Sequence, residues 1–154
     1  MLVQTALGPV VLTASDIGLR SVRYADHDPA GHTGPLLDDA AAQLQEYLAG
    51  RRRAFDLPLD WTGMTDFQAK VLKAVATIPY GETRWYVQVA EAIDRPTAVR
   101  AVGGALARNP LPIVLPCHRV LPVGGGLAGY GGSERRGGRP DVKQRLLNLE
   151  RAFA

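Results

Sequence analysis

The sequence predicts an α/β fold of the α+β type, in which a small β-rich N-terminal lobe is followed by a helical C-terminal lobe. Two changes along the chain support this division. Apolar and polar residues partly alternate in the first 25 residues, whereas apolar residues recur at helical spacing beyond residue 61. Charge changes at the same point, from five Lys/Arg against eight Asp/Glu in residues 1–60 to thirteen against seven in residues 61–154. We therefore expect two domains, 1–60 and 61–154.

The N-terminal domain is expected to contain strands and one helix. Residues 10–14 follow a Gly-Pro turn, and residues 17–24 partly alternate, which is typical of strands. Residues 55–59 alternate in the same way, so we predict a further short strand there. Apolar residues at helical spacing predict a helix that stops at Gly50: Leu37, Ala41, Leu44 and Leu48.

The C-terminal domain is predicted to begin with short helices. A capping-box pattern at residues 65–68 marks the start of the first helix. Helices are then expected over residues 86–93 and 98–108, the second capped by Thr97. Two short helices joined by a tight turn predict a helix-turn-helix. The positive charge of this domain favours a polyanionic partner such as nucleic acid, although a merely soluble basic surface fits the count equally well.

Two glycines interrupt the second helix of this pair. Gly103 and Gly104 each disfavour a helix by about 1 kcal/mol relative to Ala, so a small-residue face there needs a reason. Close packing against another helix is one explanation. Close approach to a DNA groove, with Arg100 at the N-terminal end, is the other, and spacing alone does not separate the two.

The remaining part of the domain is rich in glycine and arginine. Residues 124–132 contain six glycines, but their spacing is too irregular for a dinucleotide-binding fingerprint. Residues 133–140 form a basic loop by composition. A final helix is expected over residues 141–153.

Composition excludes several classes of protein. The content of 46% apolar and 21% charged residues is typical of a globular protein, and no apolar run approaches the ~20 residues that span a bilayer, so we expect no membrane partner. The single cysteine excludes an internal disulfide framework and a Cys-rich zinc site, and it predicts a reducing, cytoplasmic location. His27 and His32 share a loop with no third ligand nearby, so we expect no metal site.

That cysteine, Cys117, is the candidate nucleophile. A lone cysteine is more often a small buried apolar residue, but His118 follows it directly and an imidazole can accept the thiol proton. Pro116 interrupts the apolar run of residues 111–115, so we expect Cys117 to begin a turn at the end of a strand. Arg119 would be a poor neighbour for an inert core thiol, because charged residues are rarely buried unpaired.

Together these residues resemble the O6-alkylguanine-DNA alkyltransferases, also called methylated-DNA–protein-cysteine methyltransferases. The resemblance runs from about residue 67 to residue 150, and the Pro-Cys-His-Arg-Val motif after an Arg-Ala-Val-Gly-Gly helix is its most specific part. Residues 1–60 resemble the family's small RNase H-like lobe only in kind. The following segments carry the resemblance: residues 78–83, 95–96, 98–105, 109–110, 116–120 and 129–130.

The resemblance implies a double-stranded DNA partner that contains O6-alkylguanine, and O4-alkylthymine as a second lesion. Tyr86 would press on the 3′ phosphate and rotate the damaged base out of the duplex, while Arg100 would replace it in the base stack. Ala101, Gly103 and Gly104 would let the helix backbone approach the minor groove. We expect the protein to act as a monomer.

The resemblance also implies a pocket for the flipped base. The Cys117 thiolate would attack the alkyl carbon on O6 in a single displacement. The carbonyls of Cys117 and Val120 would hold the guanine amino group, and the backbone near Tyr130 and Gly131 would hold the oxygen side.

Three further residues are implied to support the thiolate. His118 would act as the base through a bound water, Glu150 would orient His118, and Asn109 would brace the turn that leads to the nucleophile. A dialkyl thioether has no good leaving group, so we expect a single-turnover methyltransferase that needs no metal or organic cofactor.

Two features depart from the family pattern. Trp85 stands where a small residue is usual, and the loop of residues 133–140 looks longer than usual. Two alternatives stay open from the sequence: an alkyltransferase-like sensor that binds the lesion without transfer, and a cysteine hydrolase that uses a Cys-His-Glu arrangement with repeated turnover.

Overall fold

The computed structural model describes residues 1–124 and 139–154, and the chain divides into two compact units, Met1–Thr62 and Gly63–Ala154. The predicted α+β composition is confirmed, with strands concentrated in the first unit and helices in the second. Tyr130, Gly131 and most of the basic loop lie outside the described residues. None of the helices in the described parts of the chain has the length and apolar character needed to cross a membrane.

The first unit contains a three-stranded antiparallel sheet in its described residues. The strands β1 (Leu2–Thr5), β2 (Gly8–Ala14) and β3 (Leu19–Tyr24) lie in sequence order, as short hairpin connections favour. Val11 lies opposite Leu2 on one side and Arg23 on the other, and it is fully buried.

One helix, α1 (Pro35–Leu48), packs on this sheet. Its buried face repeats at helical spacing and includes Leu37, Ala40, Leu44 and Tyr47. Of the predicted apolar residues, Leu37 and Leu44 are buried, whereas Ala41 and Leu48 are half-buried. The Tyr47 ring is fully buried and lies 5.2 Å from the ring of Phe55, between centroids.

The predicted strand over residues 55–59 is wrong. Only Leu59 makes a strand-type bridge, to Leu19. The Gln43 side chain explains the difference, because it accepts a hydrogen bond from the Asp56 N–H at 2.8 Å and donates one to the Asp56 carbonyl at 3.0 Å. A side chain therefore satisfies backbone groups that a sheet partner would otherwise bond.

The second unit is helical. Its elements are α2 (Asp66–Ala76), β4 (Arg84–Trp85), α3 (Tyr86–Ala92), α4 (Val99–Ala107), a 3-10 turn (Cys117–Arg119), β5 (Val120–Leu121) and α5 (Pro140–Phe153). The two short strands β4 and β5 pair in parallel. The predicted helix-turn-helix corresponds to α3 and α4.

Capping of these helices follows the sequence in one case and departs from it in another. Thr65 caps α2, since its hydroxyl accepts a hydrogen bond from the Gln68 N–H at 3.1 Å. The Gln68 side chain donates to the Arg108 carbonyl instead of bonding back to the Thr65 backbone, so the second bond of a capping box is not formed. Thr97 does not cap α4. Ala98 occupies that position without a side-chain cap, and backbone bonds hold the turn instead, including Ala98 N–H to Arg95 O at 2.9 Å.

Candidate active site

The segment before Cys117 is a series of turns. The expectation of a strand over residues 111–115 is wrong, because Pro110, Pro112 and Pro116 cannot donate to a sheet ladder and Ile113 adopts φ 74°. A positive φ is strained for a β-branched residue, so surrounding contacts must hold this conformation.

Asn109 supplies two of those contacts. Its side-chain amide donates to the Leu115 carbonyl at 2.9 Å, and its side-chain oxygen accepts from the Leu111 N–H at 2.9 Å. The backbone adds a bond from Leu115 N–H to Leu111 O and one from Cys117 N–H to Leu115 O, each 2.8 Å. Asn109 therefore spans the turn that presents the nucleophile.

Cys117 begins the 3-10 turn, as expected, but it is buried, with 6% of its surface exposed. Burial raises the pKa of its thiol. A hydrogen bond with Asn109 and the nearby positive charge of Lys143 oppose that rise. The thiol is therefore mainly protonated at neutral pH, and formation of the thiolate requires a base.

His118 is the adjacent candidate base, and it is fully buried. Its Nε2 lies 2.9 Å from Oε1 of Glu150, which α5 brings to the turn. Burial lowers the pKa of His118, while the Glu150 carboxylate raises it and the charges of Arg119 and Lys143 lower it further. The net direction is downward, so the imidazole is neutral and able to accept a proton.

The sequence indicated that Arg119 would be a poor neighbour for an inert core thiol, because charged residues are rarely buried unpaired, and Arg119 is indeed buried with a partner. Arg119 is 7% exposed, and its guanidinium donates to the Glu150 carboxylate from Nε at 2.9 Å and from Nη2 at 2.6 Å. Nη1 donates to the Ile78 carbonyl at 2.7 Å, and the guanidinium carbon lies 5.7 Å from the centroid of the Tyr80 ring. The charge is buried because it is paired.

Lys143 is a residue that the sequence reasoning missed. Its ammonium donates to the Val120 carbonyl at 2.7 Å and lies 5.8 Å from the centroid of the Tyr86 ring. Burial lowers the pKa of Lys143 to about 8, and the Cys117 thiolate opposes this shift. A signal was present, because Lys143 stands seven residues before Glu150 and therefore on the same face of the last helix.

Tyr86 is the first residue of α3, and its ring lies close to α4. A Cβ placed on Gly103 would be 3.9 Å from Cε1 of this ring. Burial and the neighbouring Cys117 charge raise the pKa of Tyr86 to about 12, so the phenol stays protonated near neutral pH. Tyr86 thus joins the helix-turn-helix to the buried cluster.

Helix α4 presents small and basic residues to solvent. Arg100 and Ala101 are exposed, and Gly103 and Gly104 are partly exposed. A Cβ on Gly103 would lie at an ordinary contact distance from the Tyr86 ring, and the atoms nearest to a Cβ on Gly104 would be those of the Arg108 guanidinium, at 3.5 Å or more. Packing between helices of the described residues therefore does not require either glycine.

No group of three or more His, Cys, Asp or Glu residues that could hold a metal ion occurs within residues 1–124 and 139–154. Among the described site residues, the fold brings Cys117, His118, Glu150 and Asn109 together with Val120 and Tyr86. Arg100, Ala101, Gly103 and Gly104 lie on α4, where Gly103 borders the Tyr86 ring of this cluster. The positions of Tyr130 and Gly131 lie outside the described residues.

Comparisons with known proteins cover both units. Residues 66–152 match the family model of the 6-O-methylguanine DNA methyltransferase DNA binding domain, and residues 1–61 match that of its ribonuclease-like domain. The constitutive methylated-DNA–protein-cysteine methyltransferase of Bacillus subtilis is 51% identical over 117 residues, covering 76% of this chain and 67% of that protein.

A second relative covers nearly the whole chain. The methylated-DNA–protein-cysteine methyltransferase of Mycobacterium tuberculosis is 40% identical over 163 residues, covering 99% of this chain and 92% of that protein. The crystal structure of Mycobacterium tuberculosis OGT in complex with DNA superposes with a TM-score of 0.85 at 40% identity, again covering 99% of this chain and 92% of that chain.

Proposed function

Because the chain belongs to the 6-O-methylguanine DNA methyltransferase family, we propose that it repairs duplex DNA by transferring the alkyl group of O6-alkylguanine to its own Cys117. The observation that carries this proposal is the buried arrangement of Cys117 beside the His118–Glu150 pair, in the unit that also contains the helix-turn-helix. Residues 1–60 form the ribonuclease-like lobe, and residues 61–154 form the DNA-binding and alkyl-acceptor domain.

The transfer is a single displacement. The Cys117 sulfur forms a bond to the alkyl carbon, the bond from that carbon to O6 breaks, and its electron pair leaves with the guanine. The thiol proton passes to His118 through a bound water, and the guanine takes up a proton as it is released. The downward shift of the His118 pKa keeps the imidazole neutral before the reaction, and the Glu150 carboxylate, which raises that pKa, favours the imidazolium that forms when the proton moves.

Glu150, Arg119 and Asn109 act through other groups. The Glu150 carboxylate orients His118 and stabilises the imidazolium that forms, as a carboxylate does in other nucleophile–base pairs. Arg119 fixes the carboxylate in place, since Nη2 donates to Oε1, the oxygen that also faces His118, and Nε donates to Oε2. Asn109 braces the turn before the nucleophile.

Base flipping precedes the transfer. We propose that α4 enters the minor groove, with Arg100 inserted in place of the damaged nucleotide and the small residues Ala101, Gly103 and Gly104 facing the DNA. Tyr86 presses on the 3′ phosphate. Flipping costs a few kcal/mol, less for a poorly paired base, so the damaged nucleotide is selected in part by its weak pairing.

The pocket for the flipped base is proposed to include the carbonyls of Cys117 and Val120. The Val120 carbonyl already accepts a hydrogen bond from Lys143, and a carbonyl oxygen has a second lone pair for the guanine amino group. Tyr130 and Gly131 keep the role that the family resemblance gives them, at the oxygen side of the base. Lys143 supplies a cation near the thiolate.

The product is a stable thioether, so each molecule acts once and needs no cofactor for the chemistry. We propose that the protein acts as a monomer in the cytoplasm, where its DNA substrate and a reduced thiol are both available. O4-alkylthymine is a second candidate substrate. A lesion sensor without transfer is not favoured, since the matched relatives are named as methyltransferases, and a hydrolase would not need the small-residue face of α4.

Intact-mass spectrometry tests the proposal. The protein is mixed with excess duplex DNA that contains one O6-methylguanine, with Cys117→Ala as control. A gain of one methylene mass per molecule, mapped to Cys117 and absent from the control, is expected. An unmodified protein that binds the lesion would overturn the transfer in favour of a sensor, and repeated turnover on an ester substrate would support a hydrolase.

A further inference from the structure

Trp85 is an exposed aromatic residue that directly precedes Tyr86 of the proposed site. It is 49% exposed, although tryptophan is usually among the most buried residues on average. It is the last residue of β4. It lies inside the segment that matches the family's DNA-binding domain.

The backbone of Trp85 is held at a defined place. Its N–H donates to Oε1 of Gln88 at 2.8 Å, which fixes the residue at the N-terminus of α3. Its strand partner is Leu121 on β5. The exposure of the indole therefore belongs to an ordered backbone position rather than to a frayed chain end.

That position adjoins Tyr86 of the proposed DNA-binding surface, and it pairs with β5, which begins at Val120 of the proposed base pocket. The Tyr86 ring reaches toward Gly103 on α4. Strand β5 directly follows the turn that contains Cys117. Because Trp85 directly precedes Tyr86, the proposed contact of Tyr86 with the 3′ phosphate would bring the lesion strand near Trp85.

The charge around Trp85 indicates the kind of contact. The adjacent Arg84 pairs with Glu82 at 3.3 Å, and it also donates to the Thr83 carbonyl at 2.9 Å. The surface here therefore presents the Trp85 indole next to Arg84, whose charge is balanced by Glu82. Aromatic faces stack on nucleic-acid bases with little dependence on sequence, whereas cations that contact phosphates make binding depend on salt.

We propose that Trp85 is a DNA-contact residue that packs its indole against the sugar and base next to the flipped nucleotide on the lesion strand. This inference rests on the proposed function, because it needs the duplex to lie across α3 and α4. The contact is apolar and stacking in character, so it adds affinity without adding to the salt dependence of binding.

Fluorescence anisotropy with a labelled O6-methylguanine duplex tests the contact over a range of salt concentrations. Trp85→Ala is expected to bind at least about fivefold more weakly than the unmodified chain, with Trp85→Phe between the two. The slope of log affinity against log salt is expected to stay unchanged in Trp85→Ala. Arg108→Ala, which removes an exposed cation at the end of α4, is the comparison for a change in slope.

Ile17→Ala is the matched control, since it removes another exposed apolar side chain, 63% exposed, from the first unit. If Trp85→Ala binds lesion DNA as tightly as Ile17→Ala does, the inference is wrong. A weaker affinity that comes with a smaller salt slope would also overturn it, because the contact would then be ionic.

Tryptophan emission gives a second test that does not depend on a loss of affinity. The chain has two tryptophans, and Trp61→Phe leaves Trp85 as the single emitter. Lesion DNA is expected to reduce collisional quenching of Trp85 by acrylamide. Equal quenching with and without bound DNA would contradict the inference. Should Trp61→Phe fold poorly, the difference between the unmodified chain and Trp85→Phe gives the same signal.

The mass-spectrometric assay separates this inference from the proposed function. If the unmodified chain gains a methyl group on Cys117 while Trp85→Ala binds and reacts as the Ile17→Ala control does, only the inference fails. If the unmodified chain neither binds lesion DNA nor gains a methyl group, the proposed function fails.

Discussion

Arg119 and Glu150 form a bidentate ion pair in the interior of the second unit, with Nε 2.9 Å from Oε2 and Nη2 2.6 Å from Oε1. The same carboxylate is 2.9 Å from Nε2 of His118, and its Oε2 accepts a hydrogen bond from the Gly81 N–H at 3.3 Å. One buried carboxylate thus serves both a permanent cation and the candidate base. Its negative charge is balanced before any proton moves, and it can still stabilise the imidazolium that forms.

Loss of Arg119 should destabilise the fold. Arg119→Met leaves the Glu150 carboxylate buried with one cation fewer, so the free energy of unfolding is expected to fall by about 3–5 kcal/mol. Arg119→Lys keeps the charge but loses the planar guanidinium that bonds both carboxylate oxygens, so its free energy of unfolding should fall by less. Urea denaturation of each variant measures both values.

Arg84→Met is the matched control for this prediction. Arg84 and Glu82 form an ion pair with 37% and 53% of their side chains exposed, and such surface pairs contribute about 0–1 kcal/mol. An Arg119→Met variant that is no less stable than Arg84→Met would show that the buried pair does not contribute to stability in this way.

Removal of the Glu150 charge should slow the transfer. Glu150→Gln keeps the shape of the side chain but loses the carboxylate that raises the pKa of His118, so the imidazole becomes a weaker base. We expect the single-turnover rate to fall by at least about tenfold, against the 10²–10⁴-fold that a positioned acid–base group supplies. Quenched-flow methyl transfer at saturating DNA measures the rate.

Glu91→Gln changes an exposed carboxylate of the same unit and is the control. Affinity for lesion DNA should stay the same in both variants. Transfer at the unmodified rate in Glu150→Gln would mean that the neutral amide orients His118 as well as the carboxylate does.

Lys143 should set the reactivity of the thiol in a pH-dependent way. The Lys143 charge lowers the pKa of Cys117, so Lys143→Met is expected to shift thiolate formation to higher pH. The pKa of Lys143 itself lies at about 8, so this support is full below that pH and is lost as the pH rises through it. The two proteins should therefore differ most below about pH 8 and converge above it.

The rate of Cys117 alkylation by iodoacetamide across pH measures this difference, with the exposed Lys70→Met as control. Identical curves of alkylation rate against pH for the unmodified chain and Lys143→Met would contradict the electrostatic role of Lys143. A lower but parallel curve would point instead to altered access to the pocket.

The glycines of α4 should matter for DNA rather than for folding. The double substitution Gly103→Ala and Gly104→Ala replaces two poor helix formers, and each change should stabilise the helix by about 0.8–1.0 kcal/mol. The structure has room for both methyl groups. We expect an unchanged or higher Tm together with weaker binding to lesion DNA, because the methyl groups keep α4 from the groove floor.

Thermal denaturation and DNA binding on the same double variant measure both effects. A lower Tm with unchanged DNA affinity would support helix–helix packing, which was the other explanation that the sequence left open for these glycines.

Local features explain where the sequence predictions hold. Thr65 and Gln68 are three residues apart, and the cap that they form starts α2 as expected. The helices of the helix-turn-helix begin and end within one residue of their predicted bounds, since adjacent turn residues set those limits. These outcomes depend on neighbours in the chain.

The wrong predictions each involve a distant or competing partner. Residues 55–59 alternate like a strand, but Gln43 bonds the Asp56 backbone from α1, and sequence alternation does not reveal such a partner. The apolar run of residues 111–115 turns because Asn109 reaches across it and prolines break its ladder. Apolar content predicted burial there, but not conformation.

The sequence by itself determined the fold class and the helix-turn-helix, and it made Cys117 and His118 candidates by residue type and adjacency. Glu150 became a candidate through the family resemblance. Only the tertiary structure decided the charge balance around the thiol. Arg119 and Lys143 are buried because Glu150 and the Val120 carbonyl, 31 and 23 positions away along the chain, meet them in the fold. The cost of burying a charge depends on its partners in space, and those exist only once the chain has packed.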